Sequence, residues 1–195
     1  YTSQYTLSLH DALPISVNGR PVRYWKDMTS GNMPTNTGQV ILANCTGVTV
    51  ENKRYDNSSI GILLGHSDNN HLMNNTLYSN DDGIYLYYSE NNLVKNNTAE
   101  SNRRGIYLDN SHFNTLIDNS LFSNEDYGIS LSSSDSNDIE NNTVSPDNQG
   151  GIYLRYSNSN TLTNNELSSS NYHGIYFYSS GSNMIENNTL SSNGD

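Results

Sequence analysis

The dipeptide Gly-Ile recurs at Gly61-Ile62, Gly83-Ile84, Gly105-Ile106, Gly128-Ile129, Gly151-Ile152 and Gly174-Ile175, at intervals of 22, 22, 23, 23 and 23 residues. Thirteen residues after each glycine stands a second marker: Asn74-Asn75, Asn96-Asn97, Asp118-Asn119, Asn141-Asn142, Asn164-Asn165 and Asn187-Asn188. Two markers in register over six units exclude coincidence. A fixed period of this length means a repeat architecture, in which each unit is one copy of a supersecondary structure and neighbours stack.

Aligned on the glycine, the units show four apolar columns. The first is Ile62, Ile84, Ile106, Ile129, Ile152, Ile175, and two residues on lies Leu64, Leu86, Leu108, Leu131, Leu154, Phe177. The third is Leu72, Val94, Leu116, Ile139, Leu162, Ile185, and the fourth is Leu77, Ala99, Leu121, Val144, Leu167, Leu190. Alternation of apolar and polar residues, as in Gly-Ile-Tyr-Leu, is the period-2 signature of a strand with one buried face. Each unit therefore reads as two or three short strands joined by polar turns, and nothing reads as helix. Stacking such coils at the ~4.8 Å inter-strand spacing gives each apolar side chain a neighbour above and below. The predicted fold is all-β, a right-handed parallel β-helix with 22–23-residue coils.

That geometry also answers the composition. Only 33% of the 195 residues are apolar, the formal charge is −11 and there is one cysteine, Cys45. An ordinary globular core from so few apolar residues would be thin, whereas a solenoid needs only a narrow one. The acidic balance argues against nucleic acid as a partner, the lone cysteine excludes an internal disulfide, and no apolar run approaches the ~20 residues that span a bilayer as a helix.

Polar columns agree with the same stacking. A serine lies six residues after every glycine (Ser67, Ser89, Ser111, Ser134, Ser157, Ser180) and an asparagine nine after (Asn70, Asn92, Asn114, Asn137, Asn160, Asn183). Stacked amides donate to one neighbour and accept from the other, so these columns predict asparagine ladders. A leucine-rich repeat has a similar length but wants Leu-x-x-Leu-x-Leu with one asparagine, which these units do not offer.

The units Gly83-Ile-Tyr-Leu-Tyr-Tyr-Ser-Glu-Asn-Asn-Leu-Val-Lys-Asn-Asn-Thr98 and Gly174-Ile-Tyr-Phe-Tyr-Ser-Ser-Gly-Ser-Asn-Met-Ile-Glu-Asn-Asn-Thr189 resemble the parallel β-helix repeats of the NosD-like family, also grouped with carbohydrate-binding and sugar-hydrolase β-helices. The resemblance covers residues 39–195. The stretch from Val17 to Trp25 and from Gly38 to Thr46 is similar to the entry segment of archaeal surface proteins of this type. The resemblance implies an extracellular or cell-surface location. For function it spans copper-site maturation proteins, surface modules and glycan-active enzymes, and a fold does not fix a chemistry.

Along the chain, Thr6-Leu-Ser-Leu-His-Asp-Ala-Leu-Pro-Ile15 resembles a translated sequencing-adapter oligonucleotide, so residues 1–16 are set aside from fold reasoning. Residues 17–38, bracketed by Pro21, Pro34 and Ser30-Gly31-Asn32, are expected as an irregular lead-in or hairpin. Residues 39–195 read as one imperfect and six regular coils. In the imperfect coil Val40, Leu42 and Val50 fall on the columns of Ile62, Leu64 and Leu72. The helix reads as truncated at both ends, with further repeats or domains of the same chain as its neighbours.

Candidate chemistry lies along one edge and one stripe. Before the glycines stand Asp81-Asp82, Arg103-Arg104, Asp126-Tyr127 and Tyr172-His173. Polygalacturonases, built on a similar β-helix, carry aspartates and a histidine in this neighbourhood, but His173 is four coils from Asp82, or ~19 Å. Asp81 and Asp126 lie two coils apart with Arg103 between them, which predicts an Asp-Arg-Asp stack with both carboxylates held ionised. Outward positions two after the glycines carry Tyr85, Tyr107, Tyr153 and Tyr176. Beside Asp81, Asp82, Arg103, Arg104 and Asp126 they form a candidate platform for a glycan or cell-wall polysaccharide. The plainer reading of the same tyrosines is cross-strand pairing that stabilises the sheet.

No resident cofactor is expected. Calcium on Asp81, Asp82, Glu125 and Asp126 competes with the arginines. For copper, His66, His71 and Met73 fall in different phases of one coil and should not converge, and Cys45 is one coil away. Sequons stand at Asn44, Asn57, Asn74, Asn96, Asn141 and Asn187; in the last four the first asparagine of the pair is expected to be ladder-bound, leaving Asn44 and Asn57 accessible. The chain is read as a non-catalytic cell-surface or secreted β-helical module for structural display or glycan binding. The alternatives are a fragment of a polysaccharide hydrolase or lyase and, third, a copper-site maturation protein of the NosD type.

Overall fold

A computed structural model of the protein describes residues 15–145, 150–168 and 172–194. Most of the adapter-like segment, residues 1–14, lies outside them. The strands form three sheets of nine, eight and seven strands, each ordered by successive coils. Among the described residues every strand pairing is parallel except that of Ser16–Val17 with Arg20–Lys26. One coil shows the plan: Asp82–Tyr87 lies in the first sheet, Leu93–Lys95 in the second and Thr98–Glu100 in the third. Each regular coil thus uses three strands.

The apolar columns face inward in register. Ile84 pairs with Ile106 and Leu86 with Leu108, Val94 with Leu116, and Ala99 with Leu121. All of these are fully buried or nearly so, and they belong to one continuous core. Between strands the chain turns on single left-handed residues: Tyr88 and Asn91 after the first strand, Asn96 after the second and Ser101 after the third. Asparagine and serine suit these corners because their side chains bond locally and tolerate positive φ.

Stacked polar side chains satisfy the backbone of the turns. The hydroxyl of Ser89 accepts from the Ser67 amide at 3.0 Å and donates to its own coil at Tyr87 O. Cys45 takes the serine's place in the first coil, and its amide donates to Ser67 Oγ. In the doubled-asparagine column, Asn97 Oδ1 accepts from the backbone and side-chain nitrogens of Asn75, and Asn97 Nδ2 donates to Leu72 O and Asn119 Oδ1. Every donor and acceptor of that buried amide is used. A third ladder, Asn80–Asn102–Asn124, runs beside the glycines, buried like the others.

One expectation about these pairs is corrected. The second asparagine of each pair, not the first, carries the buried ladder; the bond that Asn96 Nδ2 donates to Asn74 Oδ1 at 2.6 Å is exposed. Asn74, Asn96 and Asn141 sit at φ of 54°, 53° and 53°, which turns their side chains outward, and all three are exposed. The extended residue that follows, Asn75, Asn97 or Asn142, points inward and is buried.

The recurring glycine answers a close approach between coils. A Cβ on Gly105 would stand 2.5 Å from Gly128 O and 3.0 Å from Leu121 Cδ2, so any side chain would push the coils apart.

The stretch expected as an irregular lead-in or hairpin divides in two. Ser16–Val17 turns back on Arg20–Lys26 as a hairpin, and Arg20–Lys26 itself lies parallel on Gln39–Ala43, pairing Trp25 with Leu42. Met33 from this stretch is buried in the core. In the next coil Tyr55 pairs with Leu77 and fills the fourth apolar column, its hydroxyl buried without a partner. At the other end Ile185 and Leu190 are about half exposed (48% and 49%), since no further coil packs on them in this structure.

The ladders generate a contrast between neighbouring residues. Asn97→Ala strands donors of Asn75 and acceptors on Leu72 and Asn119, and should cost more than ~2 kcal/mol at ~1–3 kcal/mol per buried unsatisfied group. Asn96→Gly, next to it but outward and left-handed, should change stability by less than ~0.5 kcal/mol. Urea midpoints of the two variants check this; equal midpoints would contradict the register.

Candidate functional site

The outward face of the first sheet carries the tyrosine stripe because alternation sends the residue between each Ile and Leu away from the core. Parallel register then sets the tyrosines one above another. Tyr85 and Tyr107 stack at 4.9 Å between centroids and 21° between planes. Tyr153 and Tyr176 stack at 5.4 Å and 12°. The coil between the two pairs presents Ser130, a break visible in the sequence.

Tyr127 fills that break. It stands three residues before Ser130, in register with Gly150 of the next coil, and its ring stacks on Tyr153 at 4.8 Å and 24°. A Cβ on Gly150 would collide with the Tyr127 ring, so the glycine makes the room. The same position in other coils also covers a tyrosine. Arg104 lies over the Tyr107 ring at 3.6 Å from its centroid, and His173 stacks on Tyr176 at 4.8 Å. The sequence does not disclose the Tyr127 and His173 contacts, because only the tyrosines two after the glycine form a visible column. Stacked along the helix axis, the rings cover one another's faces, and the surface shows ring edges and hydroxyls.

Beside the stripe the charged edge forms one network. Arg103 bonds Asp81 Oδ1 at 2.5 Å through Nε and Asp126 Oδ2 at 3.2 Å through NH1, with Asp82 Oδ1 at 3.5 Å from NH2. Arg104 holds Asp82 through two bonds of 2.6 and 2.8 Å. The guanidinium of Arg103 keeps the Asp81 carboxyl below the usual carboxylate range, and Asp81 in turn raises the pKa of Arg103. Burial raises the hydroxyl pKa values of Tyr85, Tyr127 and Tyr153. The Tyr85 hydroxyl donates to Asp109 at 3.3 Å. The four tyrosines stand on the outer side of the first sheet and Asp82 and Arg104 open its strands, whereas Asp81, Arg103 and Asp126 lie in the turns that lead into it; Arg103 and Arg104 tie the three aspartates together.

Outward tyrosines in two stacks beside an ion-paired Asp-Arg edge, on a parallel sheet, define the class: a right-handed parallel β-helix protein with an open, polar and aromatic first-sheet face. The chain belongs to the NosD family, whose model, described as periplasmic copper-binding protein (NosD), matches residues 22–195. Among solved structures it is similar to a double mutant of the periplasmic alginate epimerase AlgG (TM-score 0.64, 18% identity, 85% of this chain and 55% of that one). It is also similar to a second AlgG structure (TM-score 0.59, 16% identity, 87% of this chain and 57% of that one). These likenesses are of fold, and the chain spans little more than half the length of either structure. No curated protein matches the sequence.

The described residues do not fit copper. His71 and Met73 share the outer face of the second sheet, two residues apart, a closer arrangement than the sequence suggests. Their register neighbours are Thr49, Leu93, Glu51 and Lys95, so no second imidazole or sulfur joins them. His66 is elsewhere, stacked on Tyr88. The Cys45 thiol is buried, 3.4 Å from the carbonyls of Trp25 and Ala43, and burial raises its pKa, which opposes thiolate ligation. Among the described residues no three His, Cys, Asp or Glu side chains are grouped to hold a metal ion.

A pH effect follows from the network. Because the folded pKa of Asp81 is lowered, its contribution is full above the ordinary carboxylate pKa of ~4 and is lost as pH falls through the lower folded value. The pair is largely open to solvent, so Asp81→Asn should destabilise by less than ~1 kcal/mol at pH 7. The gap should close in acid. Urea titrations of both proteins at pH 7 and below pH ~4 measure it.

Proposed function

We propose that the chain is an exported, non-catalytic β-helical module whose first-sheet face contacts extended polysaccharide. The observation that carries this reading is the Asp-Arg network beside the tyrosine stacks. Asp81, Asp82 and Asp126 each bond an arginine, and Asp81, whose carboxyl Arg103 holds below the usual range, is a poor proton donor for glycoside chemistry. What the face offers instead is a row of hydroxyls and ring edges beside fixed charges. A row of this kind suits weak, repeated contacts along a polymer. The resemblance of the fold to a periplasmic alginate epimerase supports a polysaccharide as the partner class, and the family supports export.

The test is isothermal titration against a panel of neutral and acidic oligosaccharides. At least one polymer class should bind, and Tyr85→Ala with Tyr107→Ala, or Tyr153→Ala with Tyr176→Ala, should weaken it by ~5-fold or more through the lost hydroxyl and ring-edge contacts, at ~0.5–1.5 kcal/mol per hydrogen bond. No reducing-sugar release or unsaturated product should appear. Turnover that vanishes in Asp81→Asn or Asp126→Asn would overturn the non-catalytic reading. Failure to bind any glycan would leave the tyrosines as sheet-stabilising pairs.

A further inference from the structure

Where the first sheet turns into the second, the surface is indented by an open groove of about 370 Å³. This lies within the ~300–1,000 Å³ range of small-molecule clefts. Its wall is a column of left-handed corner residues, Asn44, His66, Tyr88 and Asn110, at φ of 52°, 49°, 45° and 49°. Asparagine and histidine are at home there, whereas tyrosine is uncommon at such φ. The His66 ring stacks on Tyr88 at 5.2 Å and 10°. The next residue along the column is the short Asn110, so no ring continues the stack, and Tyr88 is 45% exposed. Tyr87 meets Tyr88 edge-on at 4.6 Å and closes the side toward the tyrosine stripe.

The groove's polar groups come from a second column, two residues further on, in which side chains accept the backbone amide of the next coil. Asp68 Oδ1 accepts from the Glu90 amide at 2.7 Å, and Asp135 Oδ1 from Asn158 at 2.6 Å. His112 Nδ1 accepts from the Asp135 amide at 3.0 Å, which leaves the neutral ring with its proton on Nε2, a donor. Glu90 departs from the pattern. One methylene longer than aspartate, its carboxylate makes no hydrogen bond or ion pair among the described residues, and it lines the groove half-buried. Among the same residues Asp68 has no cationic partner either. The two carboxylates belong to a chain of formal charge −11.

An aromatic ring with no further ring stacked beyond it, a carboxylate not used by the fold, a second carboxylate one coil before it and an N–H donor one coil after it are the complement of a pyranose that carries a positive charge. We propose that this groove binds one unit of an amino sugar in its protonated, unacetylated form. The ring packs on Tyr88 and the ammonium lies against Glu90 and Asp68. The N-acetylated form of the same sugar has neither the charge nor the ammonium donors, and a neutral hexose lacks the charge. This site is separate from the first-sheet face and does not rest on the function proposed above.

The test titrates the whole chain with the β-1,4-linked glucosamine trimer, followed by calorimetry. N-acetylglucosamine trimer, cellotriose and trilysine serve as comparison ligands. The glucosamine trimer should bind saturably and at least 10-fold more tightly than each of the other three. Glu90→Gln should weaken it at least 10-fold, while Glu140→Gln, the same charge change on the second sheet, should leave it unaltered. Tyr88→Asn, which installs the residue that Asn44 and Asn110 already place at this corner, should weaken it at least 5-fold with an unchanged thermal midpoint. Equal binding of trilysine would reduce the effect to net charge and overturn the proposal. So would binding that survives Glu90→Gln, a preference for the acetylated trimer, or no saturable binding at all.

Discussion

The structure depends on the side-chain amide of asparagine stacked on its own image one coil away. A parallel β-helix bends its chain three times per coil, and each bend leaves backbone groups that no strand can pair. In this protein those groups are met by Asn70, Asn75 and Asn80 and their counterparts in later coils, each using both amide hydrogens and both oxygen lone pairs or nearly so. Buried polar groups are costly unless satisfied, and here satisfaction requires the same residue at the same position in the next coil. The period of the sequence is therefore a hydrogen-bonding requirement as much as a packing one. It also explains how a chain with only 33% apolar residues sustains a continuous core. The narrow aliphatic interior is flanked by polar columns that are themselves dry.

Much of this fold is legible in the amino-acid sequence, because its determinants repeat. Ile62, Leu64, Leu72 and Leu77 have counterparts in every later coil, and stacking follows from their spacing alone. What the sequence hides is whatever does not repeat or depends on a dihedral angle. The ladder of Asn80, Asn102 and Asn124 is hard to see because the equivalent positions in the next two repeats of the sequence carry Asp147 and Ser170 before Asn193 restores the asparagine, so the column looks broken. The two residues of each Asn-Asn pair are chemically identical, and only the positive φ of the first decides which points outward. At the first-sheet face, Tyr85 and Tyr107 are visible as a column. The role of Tyr127 is not, since it arises from two absences, the missing ring at Ser130 and the missing side chain at Gly150.

The tyrosine stripe illustrates how a solenoid tolerates irregularity outside while holding the inside constant. Arg104, Tyr127 and His173 differ in charge and shape, yet each lays a planar group on a tyrosine of its own or the following coil. The inward neighbours of these residues stay aliphatic or aromatic from coil to coil. Variation is confined to side chains that water already reaches, where most substitutions cost little. A surface of this kind can acquire new contacts coil by coil without disturbing the stack beneath it.

The side-chain ladders also give the molecule a direction. From Asn97 to Asn119 to Asn142 to Asn165, every Nδ2 sends one hydrogen to the Oδ1 of the later coil and the other back to a carbonyl of the earlier one, while every Oδ1 receives from the earlier coil. The amide dipoles therefore align along the axis instead of cancelling, and the two ends of the rod are chemically unlike. At the early end the ladders terminate on the backbone nitrogens of Val48, Lys53 and Ser58, in a coil that has no asparagine at those positions. At the late end Asn188 turns a donor back onto its own coil at Glu186 O. Extension is thus vectorial: a segment joining the late end must arrive with acceptors leading and run in the same sense. The amide column thus accepts each further coil in one sense only.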